Sequence, residues 1–231
     1  GRDVPEVRLV SSRFCRVNGW RDADGREQWD RVSDWSKALV RRSVGYRFVR
    51  AGEFADADAL RAEDAPLVLD GVACVSDRQF AALRTYLQQG GRAWLRLPFG
   101  THDETGALRP VPLSESLASA QYPGLLVLPD VPAAESLEAL IGKGAFVPRI
   151  RRLSGDAHWA LRLRVHPEGI ALHAMSLALE AEAHPTLKDG YRGEAVMSRI
   201  RSAASGGKLE CEIDLGGLGA AWSAPVLKSP E

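Results

Sequence analysis

The chain has 231 residues, room for one large domain or two small ones, and its 45% hydrophobic and 26% charged content is ordinary for a globular protein. Its 30 Lys+Arg balance 30 Asp+Glu to a formal net charge of zero. No global field therefore draws it to nucleic acid or to an anionic membrane. The arginines are interleaved with carboxylates rather than massed, and no apolar run approaches the ~20 residues of a membrane span. Neither nucleic acid nor a membrane is expected as a partner.

Three cysteines, Cys15, Cys74 and Cys211, lie far apart. No C-x-x-C occurs, which excludes zinc or redox motifs of that spacing, and at most one disulfide can form. The opening GRDVPEVR lacks the apolar core of a signal peptide. Gly1 is not an initiator Met, so the sequence reads as a piece of a longer polypeptide or a mature form, and its compartment stays open.

In chain order, residues 6–12 (EVRLVSS) predict a first strand and FCRVNGWRDADGRE a polar loop. A helix is predicted over about 27–44, with Trp29, Val32, Trp35 and Leu39 on one face at three- and four-residue steps. A short strand over 46–49 and a short helix over 56–63 follow. The apolar run 65–73 (APLVLDGVA), bounded by turn residues, suits a strand buried on both faces, as in a parallel sheet. After it, Ser76 and Gln79 form a capping box, Phe80, Leu83 and Leu87 a buried stripe, and Gly90 a stop. Strands over 92–100 and 124–130 and a helix over 135–144 complete the alternation. Strand and helix thus alternate to about residue 148, which argues for a parallel sheet covered on both faces.

The pattern then switches to period two. Trp159, Leu161, Leu163 and Val165 alternate with Ala160, Arg162, Arg164 and His166; HPEG makes a turn; 170–175 returns. Leu209, Cys211, Ile213 and Leu215 alternate likewise. Such alternation marks strands with one wet face. Two domains are expected: an α/β domain over 1–148 and a small antiparallel β-domain of sandwich type over 149–231.

The corner LDGVACVSDRQF, strand then Cys74 then helix, is where many α/β hydrolases place a nucleophile. That elbow needs small residues two before and two after. Val72 and Ser76 stand there instead, and the favoured reading is a small, packed cysteine. His102, Asp103 and Glu104 in FGTHDETG lie beyond the carboxyl end of a strand, where open α/β sheets place ligands. Adjacent side chains splay apart, so this stretch reads as a contact loop. Asp22, Asp24 and Gly25 resemble part of a calcium loop, but one register puts Trp20 and Arg31 at its first and twelfth positions, and the other puts Glu27 in the place of its glycine. His158, His166, His173 and His184 fall in the β-part. His166 and His173 flank the hairpin, but two histidines without a third ligand do not make a metal site. Neither metal nor cofactor is expected. Trp20, Trp159 and Trp222 are candidates for a sugar-stacking platform, against the commoner role in a core.

The stretch VSDRQFAALRTYLQQGGRAWLRLPFGTHDETG resembles the second domain of family 42 β-galactosidases, the β-galactosidase trimerisation domain. The resemblance rests on Val75-Ser76-Asp77, on Tyr86-Leu87-Gln88-Gln89-Gly90-Gly91 and on Asp103-Glu104-Thr105-Gly106. It implies the flavodoxin-like fold of class I glutamine amidotransferases without their chemistry. In those hydrolases the catalytic carboxylates lie in a separate (β/α)₈ barrel, which needs ~250 residues and does not fit here. An amidotransferase would show a G-x-C-x-G elbow and a late H-x-E pair. The elbow is missing; His102-Asp103-Glu104 comes early, and His166-Pro167-Glu168 reads as the hairpin turn.

The expectation is an accessory region that packs domains or self-associates, as a homo-oligomer or docked to a catalytic domain, with carbohydrate a possible ligand. The opposing readings are a hydrolase using Cys74 with His166 and Glu168, or with His102, and a glycan-binding module.

Overall fold

In a computed structural model, the structure describes residues 2–154, 159–166, 169–176 and 210–213. The elements in order are β1 (Arg2–Asp3), β2 (Val7–Val10), α1 (Arg13–Val17), α2 (Gln28–Arg41), β3 (Tyr46–Val49), a 3-10 turn (Glu53–Ala55), α3 (Ala57–Arg61), β4 (Leu67–Asp70) and α4 (Asp77–Gln88). Then come β5 (Ala93–Arg96), α5 (Leu113–Ala120), β6 (Leu125–Val127), α6 (Ala133–Gly142), β7 (Ile150–Ser154), β8 (Trp159–His166), β9 (Gly169–Ser176) and β10 (Glu210–Ile213). The chain divides into two compact units. One comprises Pro5–Leu39 and Tyr46–Phe146; the other comprises Gly1–Val4, Val40–Gly45 and Val147–Glu231.

The first unit carries a five-stranded sheet in the order β3-β2-β4-β5-β6, and every neighbouring pair is parallel. Counted within the unit this is 2-1-3-4-5, the order of flavodoxin-like doubly wound sheets. Successive side chains point to opposite faces. Leu67, Leu69, Ala93 and Leu95 join Leu60, Leu83, Leu87 and Leu117 in one core, under α3, α4 and α5. On the opposite face Trp35 of α2 meets Trp94 with ring centroids 6.1 Å apart, and Phe146 meets Trp94 edge-on at 5.3 Å. Both faces are therefore covered, which is why these strands read as unbroken apolar runs.

α4 forms as its sequence dictates. Ser76 accepts from the Gln79 amide at 3.2 Å, and Gln79 Oε1 accepts from the Ser76 amide at 3.2 Å. The Tyr86 hydroxyl turns back to the strand that follows, accepting from the Arg92 amide at 2.9 Å. Its ring lies over Gly91, where a Cβ would stand 2.4 Å from Tyr86 Cζ. The Tyr-x-x-x-Gly-Gly spacing is thus a packing requirement.

Three elements differ from expectation. Trp29 is 50% exposed, whereas Val32, Trp35 and Leu39 are buried. The buried stripe of α2 runs through Gln28, Arg31, Val32, Trp35, Ala38 and Leu39, and Trp29 stands one residue, about 100°, off its Gln28 edge. α1, inside the expected polar loop, is too short to show a period; it exists because Ser12 caps it, accepting from the Cys15 amide. α5 likewise buries one residue, Leu117, and shows no stripe.

In the second unit β8 and β9 form an antiparallel hairpin, Trp159 opposite Ser176 and His166 opposite Gly169, extended by β1. β7 pairs antiparallel with β10, with a register shift between Glu210 and Cys211. Within this unit Ser43 Oγ accepts from the Leu161 amide at 3.0 Å.

Candidate functional site

Strand order reverses between β2 and β4, and open α/β sheets take ligands in the crevice beyond the carboxyl ends of strands at such a point. Here the crevice is filled from three sides. Ser11 to Cys15 follow β2, residues 71–76 follow β4, and residues 97–109 follow β5.

Cys74 lies in the second of these segments and is 1% exposed. Its corner is pinned on both sides. The Val75 amide donates to His102 O at 3.1 Å and the His102 amide to Ala73 O at 3.0 Å. Ser12 Oγ donates to Cys74 O at 3.1 Å, and the Cys74 amide donates to Cys15 Sγ at 3.2 Å. The backbones of Cys74 and His102 are thus brought together, but His102 Nδ1 is engaged with Thr101 Oγ1 at 2.9 Å. The Cys74 side chain lies in one buried cluster with Cys15, whose sulfur its amide contacts.

The two thiols titrate as a pair, and only one can ionise easily. Contact with the Cys74 thiol draws Cys15 down to about 6 against the effect of burial, helped by Ser12 and the Cys74 and Ala73 amides. That same contact, then burial, pushes Cys74 well above the ordinary thiol range. Cys15 also lines a recess of about 40 Å³ with Ser11, Arg16, Trp20, Gln28 and Trp29.

Beside the thiols a buried charge network closes the carboxyl end of the sheet. Asp70 ends β4 and lies in register with Arg96, which ends β5. Its Oδ2 pairs with Arg96 and accepts from Trp35 Nε1 at 2.8 Å, and its Oδ1 accepts from Arg31 Nη1 at 3.2 Å. Arg31 also donates to Asp22 Oδ2, from Nη2 at 2.7 Å and Nε at 3.1 Å. Burial raises the Asp22 carboxyl, but the Arg31 hydrogen bonds and the Arg26 and Asp24 amides outweigh it and hold it below its usual range. Gly71 makes room: at φ +63 it has no side chain, and a Cβ there would stand 2.7 Å from Arg31 Cδ. Gln28 ties the corners together, donating to Val10 O and Asp70 O and accepting from the Ser12 amide.

The stretch expected to be a contact loop folds as a self-bonded turn. Asp103 Oδ1 accepts from Thr105 N at 2.8 Å, Thr105 Oγ1 at 2.7 Å and Ala107 N at 3.0 Å. The Thr105 hydroxyl first, then the two amides, hold the Asp103 carboxyl below its ordinary value against slight burial. Glu104 O accepts from Asn18 Nδ2 at 3.0 Å. Around the loop Leu97, Leu108 and Val111 are exposed, Leu108 to 75%.

Among the other candidates, Asp22 is committed to Arg31 and to backbone amides. His173 pairs with Arg162 and His166 with Gly169, so the two sit about 14 Å apart along the hairpin rather than side by side. Glu168, His158, His184 and Trp222 lie outside the described residues. The charge network and the role of Cys15 escape sequence reasoning. One signal was available: LVLD and AWLR both end an apolar strand on a charge, and parallel neighbours in register place those charges side by side.

No protein-family model matches the sequence, and no curated protein matches it. Solved structures do. A β-galactosidase from Rahnella sp. R3 superposes with a TM-score of 0.58 at 13% identity, over 76% of this chain and 36% of that one. Gan42B, a GH42 β-galactosidase from G. stearothermophilus, gives 0.55 at 12% identity, over 75% and 35%. The β-galactosidase from Bacillus circulans sp. alkalophilus gives 0.56 at 9% identity, over 75% and 36%. The chain has a GH42-related fold. It spans about a third of the length of these structures.

Proposed function

We propose that this chain is a non-catalytic accessory region related to the trimerisation domains of glycoside hydrolases, holding domains or copies together. In this reading residues 1–148 form the amidotransferase-like domain and 149–231 a β-sandwich-type domain. The observation that carries it is the state of the switch-point crevice. The corner that would present a nucleophile faces a second thiol and a buried charge network, while apolar side chains stand exposed on the neighbouring 97–113 segment. Exposed apolar residues grouped beside a contact loop suit an interface with protein. The likeness in fold to about a third of each β-galactosidase supports a role inside or beside a glycoside hydrolase.

Sedimentation velocity tests it. The chain is expected to self-associate, and Leu108→Asp with Val111→Asp to return it to a monomer with unchanged circular dichroism. A monomeric chain that hydrolyses amide or ester substrates, and loses that activity in Cys74→Ala, would overturn the proposal.

Glycan contact is a second reading, favoured by Trp20 and Trp29 on the rim of the small recess. Galactose that shifts tryptophan emission in the wild type, but not in Trp29→Ala, supports it. An unchanged spectrum removes it.

A further inference from the structure

We propose that Cys15 and Cys74 form a redox pair at the switch point, oxidised by low-molecular-weight disulfides to a bond that clamps the β2–α1 corner to the β4–α4 corner. This goes beyond the accessory role and does not depend on it. The two cysteines are 59 positions apart in sequence, yet Cys15 Sγ accepts from the Cys74 amide at 3.2 Å. Cys15, Ala73 and Cys74 form one buried cluster under Phe14 and Trp20. Both are free thiols. Their backbones are fixed by neighbours, Cys15 through the Ser12 cap and Cys74 through Ser12 and the residues beside it. The partners are therefore held next to each other before any bond forms.

The two thiols are not equivalent. Cys15 lines the recess, next to the exposed Arg16, and is the thiol whose charged form the pair favours. The thiolate is the attacking species in exchange. Cys15 S⁻ attacks a small disulfide R–S–S–R, forming Cys15–S–S–R and releasing RS⁻. Cys74 then gives its proton to that leaving thiolate and attacks the Cys15 sulfur, expelling the second R–S⁻, which takes a proton from water. The protein dithiol is oxidised by two electrons, and the small disulfide is reduced to two thiols.

The test uses the whole chain and oxidised glutathione, quenched by acid and alkylation and mapped by mass spectrometry. Free thiols are expected to fall from three to one, with Cys15 and Cys74 in one cross-linked peptide and Cys211 alkylated. Cys74→Ser is expected to trap glutathione on Cys15, and Cys15→Ser to leave Cys74 unmodified in the folded protein. Dithiothreitol reverses the bond and lowers the urea midpoint of the oxidised form to that of the reduced one. The wild type alone decides the matter if a variant misfolds: cross-linking must be faster in the native chain than in urea. The proposal fails if both thiols stay alkylatable after oxidation under native conditions. It also fails if they cross-link only in urea, or if glutathione lands on Cys74 first.

Discussion

At the amino end of the parallel sheet a buried arginine is held by neutral oxygens, whereas at the carboxyl end two buried arginines are held by carboxylates. Arg8, in β2, is fully buried. It donates to Leu60 O at 2.5 Å, to Ala65 O at 2.9 and 2.6 Å, and to the Tyr86 hydroxyl at 3.0 Å. Its guanidinium also lies 5.6 Å from the Tyr86 ring centroid, over the π-face. Burial leaves Arg8 more acidic than an ordinary arginine. Arg31 goes the other way: burial lowers it, but hydrogen bonds to Asp22 and Asp70 more than compensate. Neutral oxygens satisfy a cation's donors without cancelling its charge; carboxylates do both. The amino end therefore depends on geometry, and the carboxyl end on charge balance.

The contrast predicts unequal sensitivity. Asp70→Asn removes the one carboxylate shared by Arg31 and Arg96, and leaves Arg96 buried without a charge partner among the described residues. Breaking a buried pair by deleting one partner costs about 3–5 kcal/mol, so urea denaturation should show the largest loss here. A cost below about 1 kcal/mol would mean that water screens the network. At the other end, Tyr86→Phe removes the hydroxyl that serves Arg8 and the Arg92 backbone. Arg8 keeps its carbonyl partners, so the expected loss is about 1–3 kcal/mol, the cost of stranded buried polar groups. Equal losses at Asp70 and Tyr86 would erase the distinction between the two ends.

The two ends were also unequally legible. The Tyr86, Gly90 and Gly91 spacing is local, because one helix end and one strand start make it within a few residues. The capping box of α4 and the apolar runs of β4 and β5 are equally local, and these are the elements that read correctly. The carboxyl-end network draws Asp22, Arg31, Asp70 and Arg96 from four segments. Only the sheet register brings two of them together, and only α2 brings the rest. Trp29 was misplaced for a related reason. A period of three and four fits it to the stripe of Val32 and Trp35, while the polar Gln28 and Arg31 are the ones that face inward, drawn by the switch-point groups they bond. Cys74 was visible as a corner residue, but its neighbour Cys15 was not, since a thiol pair leaves no spacing signal.

Acid sharpens the comparison from its other side, with the smallest effect. Asp22 is held below its usual range in the folded chain, and an unfolded carboxyl titrates near ~3.9. Its contribution is then fully present above that unfolded value and is lost as pH falls through the lower folded value. The groups that hydrogen-bond Arg8 do not behave this way, because they are carbonyls and a phenol. The urea midpoint of the wild type should fall below about pH 4. In Asp22→Asn the midpoint should start lower at neutral pH and change less over the same acid range, with the two curves converging as Asp22 becomes protonated. Parallel curves down to the acid limit would mean that Asp22 contributes no linkage, and that Asp70 and Asp130 balance Arg31 without it.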